Sequence, residues 1–381
     1  MIEAQVARAR GPVGICLAVG DWGALNVTRL SLDPNRVASN RLPVAVVIPA
    51  YNSERFIEEA IASVRAQTAQ PAEIIVVDDG SSDRTAASAC ALGAAVHRQP
   101  NGGPGAARNT AIRSTGQPWI AFLDADDVWE PTKLEAQWMA VRACPDVGAI
   151  FTDFVEFDAE GTLGGMFLSS KAHYRAMKRV AVAPDVLHCD AESLRRQFLQ
   201  GNFIAPSTML VRRDLLVQIG LFDTALSHME DRDCWLRLLA VSTMAVVERS
   251  LARIRIHDSN LTHDKFRAAV AGILLTERIL TNPTNYPPGT AEHYRNTRYL
   301  WHLGAGRLAE ERGDLRQARR YCLQAWRFGG GPLPVALAVL CFLPAPVRHV
   351  IRALGRRLHP SPARPAHRSP EVPVVSKGAA R

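Results

Sequence analysis

The segments EIIVVDDGSSDRT (Glu73–Thr85) and WIAFLDADDVW (Trp119–Trp129) decide the fold. Each runs through β-branched and aromatic residues and ends in acids, the pattern of a strand buried on both faces with polar groups at its carboxyl end. Open α/β sheets bind ligands outside the carboxyl ends of their strands. Asp78-Asp79 and Asp124-Ala125-Asp126-Asp127 are therefore expected to face one crevice. A carboxylate at the first tip can accept hydrogen bonds from a nucleobase or ribose, while Asp-x-Asp at the second offers hard oxygens to Mg²⁺ or Mn²⁺ on a diphosphate. Together they indicate a nucleoside-diphosphate ligand. Asp-Asp-Gly-Ser-Ser also suits a turn and a helix cap. The second cluster places three carboxylates in four positions with no Lys or Arg among them, and a metal is the expected neutraliser.

Working outward, strands and helices alternate. Val44–Ile48 reads as a strand, Ser53–Gln67 as a helix with Phe56, Ile57, Ala60, Ile61 and Val64 on one face, and Glu73–Val77 as a buried strand. Helices are expected over Asp83–Leu92 and Gly105–Ser114, with strands at Ala94–His97 and Trp119–Leu123. This rhythm predicts parallel crossovers and a Rossmann-like α/β domain with a mostly parallel central sheet. A helix to about Cys144 and a strand near Val147–Phe154 follow, and from Lys265 to Phe328 the chain reads as a helical appendage. Within it, Gly304–Arg327 resembles a single helical hairpin of the tetratricopeptide type. The division expected is a poorly ordered extension over 1–42, a catalytic domain over 43–262, the appendage over 263–330, and an apolar segment with a basic, disordered tail over 331–381.

Composition narrows the class. Seven scattered cysteines without a C-x-x-C pair fit reduced thiols in a cytoplasmic protein, not a zinc site or disulfide frame. Of the formal charge of +8, most lies after Val347, where eight Lys or Arg meet only Glu371. Nothing upstream resembles a base-reading module, so nucleic acid is excluded as partner. The apolar run Pro332–Val347 is cut by prolines and falls short of the ~20 residues of a membrane span. Followed by basic residues, it suits either peripheral contact with the inner face of the cytoplasmic membrane or a closing helix packed on the domain.

The ordered set VVIPAYNSERFIEEAIASVRAQT, EIIVVDDGSSDRT, NGGPGAARNTAI and WIAFLDADDVWEP strongly resembles the inverting family 2 glycosyltransferases, from about Val44 to Thr262. The resemblance implies a nucleotide-diphospho-sugar transferase of GT-A type. It moves a hexose from a UDP- or dTDP-sugar to a glycan or lipid-linked acceptor in polysaccharide biosynthesis, with Mn²⁺ or Mg²⁺. It assigns the donor's base to Pro49, Ala50, Tyr51 and Asn52, with Glu54 nearby, and base reading to Asp79 beside Asp78. Gly103, Arg108 and Asn109 approach the diphosphate. Asp126 is the direct metal ligand, Asp124 turns toward ribose or metal water, and His257 in RIRIHDSNLT completes the metal or diphosphate site. Asp231 is the general base, with Glu230 orienting it or touching acceptor, and Asn202–Thr208 is the acceptor-side loop. A non-catalytic nucleotide-sugar-binding member is the alternative within the fold. An NAD(P)-dependent oxidoreductase is the alternative outside it, because Gly103-x-Gly105 begins a dinucleotide fingerprint. Arg108 stands where that fingerprint needs Gly or Ala.

Overall fold

The computed structural model describes residues 41–258, 260, 263–343 and 347. A ten-stranded mixed sheet forms its centre. The first units are β1 (Arg41–Ala50), α1 (Ile57–Arg65), β2 (Gln70–Asp78), α2 (Thr85–Ala91), β3 (Ala95–Arg98), α3 (Pro104–Ser114) and β4 (Trp119–Phe122). β1 pairs in parallel with β2 and β4, and β2 with β3. The order β3-β2-β1-β4 brings the ends of β1, β2 and β4 to one edge of the sheet. Both acid-bearing segments thus finish side by side, as their sequences predict.

The second half of the sheet is more mixed. β5 (Val128–Trp129), α4 (Lys133–Ala143) and β6 (Ala149–Phe157) are followed by the short helices α5 (Phe167–Ser170) and α6 (Ala172–Arg175) and the hairpin β7 (Arg179–Ala183) and β8 (Val186–Cys189). Then come α7 (Ala191–Gln200), a 3-10 turn at Pro206–Thr208, β9 (Leu210–Arg212), α8 (Arg213–Gln218), α9 (Glu230–Leu238) and β10 (Met244–Arg255). β9 inserts antiparallel between β4 and β6, and β10 lies parallel to β6 and antiparallel to β5 and β8. β1 to β4, β6 and β10 all run the same way, so the sheet is mostly parallel. β10 therefore delivers Arg255 and the residues after it to the same edge as Asp78 and Asp124.

Local chemistry adjusts the boundaries. The helix expected from Ser53 begins at Ile57 because the preceding residues are tied across to the loop after β2: Ser53 N donates to Thr85 Oγ1 and Glu54 N to Asp83 Oδ2. α1 still buries the expected Ile57, Ala60, Ile61 and Val64. α3 starts with Pro104 in its first turn, where a missing N–H costs nothing, after Gly103 at φ +85°. Of the expected extension over 1–42, Arg41 and Leu42 already belong to β1, and the rest lies outside the described residues.

Two apolar layers cover the sheet. One joins β1, β4 and β6 to α3, α7 and α9 around Phe122, Phe151, Phe198 and Trp235; the other packs α1 and α4 against the opposite face around Ile48, Ile61 and Leu134. The later helices α10 (Lys265–Thr281), α11 (Thr290–Glu311), α12 (Leu315–Arg327) and α13 (Pro332–Leu340) begin inside this core, since Leu275, Ile279, Tyr286 and Tyr294 belong to the first layer. α11 and α12 form the hairpin expected over Gly304–Arg327. Gly306 permits their close approach, because a Cβ there would lie 2.7 Å from Cys322 Sγ. Among the described residues no helix is long and apolar enough to cross a membrane. The basic tail lies outside the described residues.

α9 is anchored through Asp233. Its carboxylate accepts from Arg237 Nε (2.8 Å) and Nη2 (2.5 Å) and from the Tyr286 hydroxyl (2.6 Å), and its side chain is 1% exposed. Removing one partner of a buried ion pair leaves the other charge uncompensated. Asp233→Ala is expected to destabilise the protein by about 3–5 kcal/mol in urea unfolding. A loss below about 1 kcal/mol, the scale of an exposed pair, would contradict this anchoring role.

Candidate active site

The edge formed by the ends of β1, β2, β4 and β10 faces the start of α9. Met229, in left-handed conformation at φ +64°, turns the chain so that Glu230, Asp231 and Asp233 fall in the first helical turn. There they meet the positive end of the helix dipole.

Arg108 joins the strand tips to α9. Its Nη2 donates to Asp124 Oδ1 at 2.7 Å and its Nη1 to Glu230 Oε1 at 2.8 Å, while the guanidinium lies 5.4 Å from the Phe222 ring centroid. Arg108 is only 2% exposed. Its two carboxylate partners hold it charged against the cost of burial. Arg108 was expected to supply charge to a diphosphate; instead both terminal nitrogens are engaged by the protein's own acids. Burial pushes the Asp124 carboxyl up, with Arg108 opposing. It pushes Glu230 up to about 7, again opposed by Arg108 and reinforced by Asp231.

The expectation that the Asp124–Asp127 cluster lacks protein cations is also corrected. Besides Arg108 on Asp124, Arg255 donates its backbone N–H to Asp127 Oδ1 (2.9 Å) and its Nε–H to the Asp126 carbonyl (2.8 Å). The Ser207 hydroxyl donates to Asp127 Oδ2 at 2.5 Å and accepts from Asp124 N. Asp127 is 3% exposed, and burial raises its carboxyl well above the usual range. These partners come from 16, 80 and 128 residues away in the chain, beyond the reach of a local reading.

Asp126 differs. Its side chain is 27% exposed and its Oδ2 lies 2.9 Å from His257 Nε2, with the imidazole stacked on Phe56 at 4.8 Å. Asn260 Nδ2 donates to the same oxygen at 3.4 Å. Among the described residues no three His, Cys, Asp or Glu side chains group around one metal position. Asp124 accepts from Arg108 through Oδ1 alone. Asp126 and His257 fit a cation that takes few protein ligands and completes its shell with diphosphate oxygens and water, a habit of Mg²⁺, and the imidazole also suits Mn²⁺.

The predicted donor residues divide into a framework and an open surface. Asp79, 3% exposed, accepts from Gln99 Nε2 (2.7 Å), Gly102 N (2.9 Å) and Gly103 N (2.7 Å), so this carboxylate addresses the glycine loop and is not an open base reader. Asp78 is fully buried and accepts from Arg98 Nε and Ser81 N. Asn109, 3% exposed, exchanges both amide groups with the Phe222 backbone. Glu54 accepts from Arg84 N, and Asn52, at φ +48°, accepts from Ser82 N, which braces the loops after β1 and β2. These residues also position the loops, because every turn N–H near the crevice needs an acceptor. Pro49 and Ala50 end β1 beneath the crevice, Tyr51 is 52% exposed, and a Cβ at Gly103 would meet nothing within 4 Å.

Asp231 is half-buried, and its Oδ2 accepts from Asn202 Nδ2 at 3.0 Å. This contact brings the expected acceptor-side loop to the expected base. Arg255 and Phe222 were not singled out from sequence, Phe56 was read only as part of a helical face, and Ser207 only within the acceptor-side loop. Arg255 was legible in hindsight, two residues before His257 on an alternating strand.

Residues 45–217 match the model of Glycosyl transferase family 2. The chain belongs to that family. It is 30% identical over 222 residues to an uncharacterized glycosyltransferase of Rickettsia typhi, covering 58% of this chain and 66% of that one. It is 26% identical over 231 residues to the Escherichia coli UDP-Glc:alpha-D-GlcNAc-diphosphoundecaprenol beta-1,3-glucosyltransferase WfgD, covering 59% and 81%. The chain spans 34%, 30% and 34% of three further rickettsial glycosyltransferases, and so only part of several curated relatives. The S. aureus TarS 1-349 crystal structure in complex with UDP-GlcNAc shares the fold at TM-score 0.56 and 19% identity, over 82% of this chain and 92% of that one. Family and fold set aside the dinucleotide reading. Arg108, at the position where that fingerprint needs a small residue, instead forms the central ion pairs of this glycosyltransferase domain.

The raised Glu230 carboxyl yields a pH prediction. A folded value near 7 against an ordinary 4.5 means that the native state binds more protons than the unfolded one between these values, so stability falls as pH rises through them. Glu230→Gln mimics the protonated group at every pH. Relative to the native protein, its melting temperature should rise steadily from pH 4.5 to 7 and then level off. Parallel profiles for the two proteins would place the Glu230 carboxyl in its ordinary range.

Proposed function

We propose that this chain transfers a hexose from a UDP- or dTDP-sugar to a hydroxyl of a glycan or lipid-linked acceptor, inverting the anomeric carbon. The observation that carries this reading is the division of labour among the acids. Arg108 neutralises Asp124 and Glu230, Arg237 holds Asp233, and Asp231 keeps a half-buried carboxylate beside Asn202 on the acceptor-side loop. A UDP donor and a lipid-linked acceptor are in keeping with the E. coli relative, named for transfer from UDP-Glc to a diphosphoundecaprenol-linked sugar.

Tyr51 offers an exposed ring face for the nucleobase, and Asp79 sets the glycine loop against the donor. Asp126 and His257 are the residues that would hold a divalent cation, which would neutralise charge developing on the departing nucleoside diphosphate. The acceptor hydroxyl must lose its proton as it attacks the anomeric carbon, and Asp231 takes that proton. Asn202 orients the Asp231 carboxylate through its Oδ2. Glu230 cannot serve as readily, because its carboxylate is bound to Arg108 and buried. A protein that binds nucleotide-sugars without turnover would have no use for a base oriented at the acceptor loop.

Release of UDP or dTDP from pooled nucleotide-sugars, with Mn²⁺ or Mg²⁺ and an acceptor extract, tests the activity and identifies the donor. Asp231→Asn should lower turnover by ~10²–10⁴, the typical cost of losing a positioned base. Donor affinity measured by calorimetry should stay within a few-fold, since no donor contact is assigned to Asp231. Turnover kept near the native value would remove Asp231 as the base. A joint loss of affinity and turnover would make the cluster part of the donor site.

A further inference from the structure

α13 has the sequence PLPVALAVL, without a single charged side chain, yet only Pro334 and Ala338 within it are buried. Leu333 is 47% exposed, Val339 57%, and Phe342 just beyond it 72%. A helix that is apolar all round normally has cover on every side, and among the described residues α12 is the main element packed against it. The outward side of α12 adds Leu323 at 46% and Trp326 at 53% exposure. Between and around these stand the exposed Arg316, Arg320 and Arg327. The Arg319 guanidinium lies 4.5 Å from the centroid of the Phe342 ring and so joins the two helices' outer sides. Beyond this surface the sequence continues with eight Lys or Arg and one acid between Arg348 and Arg381.

The charges select among the partners that would cover such a face. The basic segment that follows would be repelled by the arginines of α12, and a second copy would bring two arginine-bearing faces together. An anionic lipid surface complements both features: acyl chains accept the apolar side chains while headgroup phosphates pair with guanidinium groups. We propose that the outer sides of α12 and α13 dock on an anionic bilayer, with Trp326, Val339 and Phe342 entering the interface and Arg316, Arg320 and Arg327 meeting the headgroups. Aromatic side chains of this kind favour the headgroup level of a membrane. The inference does not depend on the reaction proposed above.

The test is flotation of the full chain with vesicles of phosphatidylcholine alone or mixed with phosphatidylglycerol, at low and high salt. Binding is expected only with phosphatidylglycerol and should weaken at high salt. Val339→Glu with Phe342→Glu replaces exposed side chains and should leave the melting temperature unchanged while reducing bound protein by about tenfold or more. If that pair lowers the melting temperature, Trp326→Ser takes its place. Arg316→Gln with Arg320→Gln should weaken binding without removing it. Failure of the native chain to float would overturn the proposal, as would binding untouched by the helix substitutions and lost only when basic residues after Arg348 are replaced by Gln. A dimer in sedimentation equilibrium that dissociates on Val339→Glu with Phe342→Glu would also overturn it, by assigning the face to a second copy.

Discussion

The buried Arg108 guanidinium is the interaction on which the candidate site rests. It spans from the tip of β4 to the first turn of α9 and binds one carboxylate on each. Without it, the buried Glu230 carboxylate would lose its counter-charge beside Asp124, and burial of an unpaired carboxylate costs several kcal/mol. The cation thus decides which acids are available for chemistry. Asp127, Glu230 and Asp233 are buried on protein partners. Asp124, Asp126 and Asp231 keep the partial exposure that a ligand needs.

The same economy governs the loops. Asp78, Asp79, Asn52, Glu54 and Asn109 each accept hydrogen bonds from backbone N–H groups in or beside the crevice. Their effect is to fix where Tyr51 and the glycine loop stand. Such preorganised walls reduce the ordering that a ligand must impose on binding. Residue types that look like ligands in sequence here hold the scaffold, because turns and ligands compete for the same acceptors.

Much of the fold was legible because it is written in periodicity. The runs at Glu73–Val77 and Trp119–Leu123, the helical face of Ile57, Ala60, Ile61 and Val64, and the hairpin over Gly304–Arg327 all follow from local spacing. The sheet's second half was less legible: β9 has three residues and β5 two, too few for any pattern to register. In the site, Asp126 lies beside His257, and Asp231 beside Asn202 of the loop read as acceptor-side. What escaped were partnerships across more than sixty residues, such as Arg255 with Asp127 and Ser207 with Asp127, since a charge pattern in sequence carries no information about which cation folds back onto it.

On the proposed reading, Asp231 takes the acceptor's proton and displacement occurs once, with inversion. The most direct measurement is the anomeric configuration of hexose released when water replaces the acceptor, followed by proton NMR in the first minutes of UDP-α-hexose hydrolysis, before mutarotation. β-Hexose as the first product is the expected result. α-Hexose appearing first would mean retention of configuration, and would show that one of the carboxylates bound to Arg108 acts as a nucleophile after all.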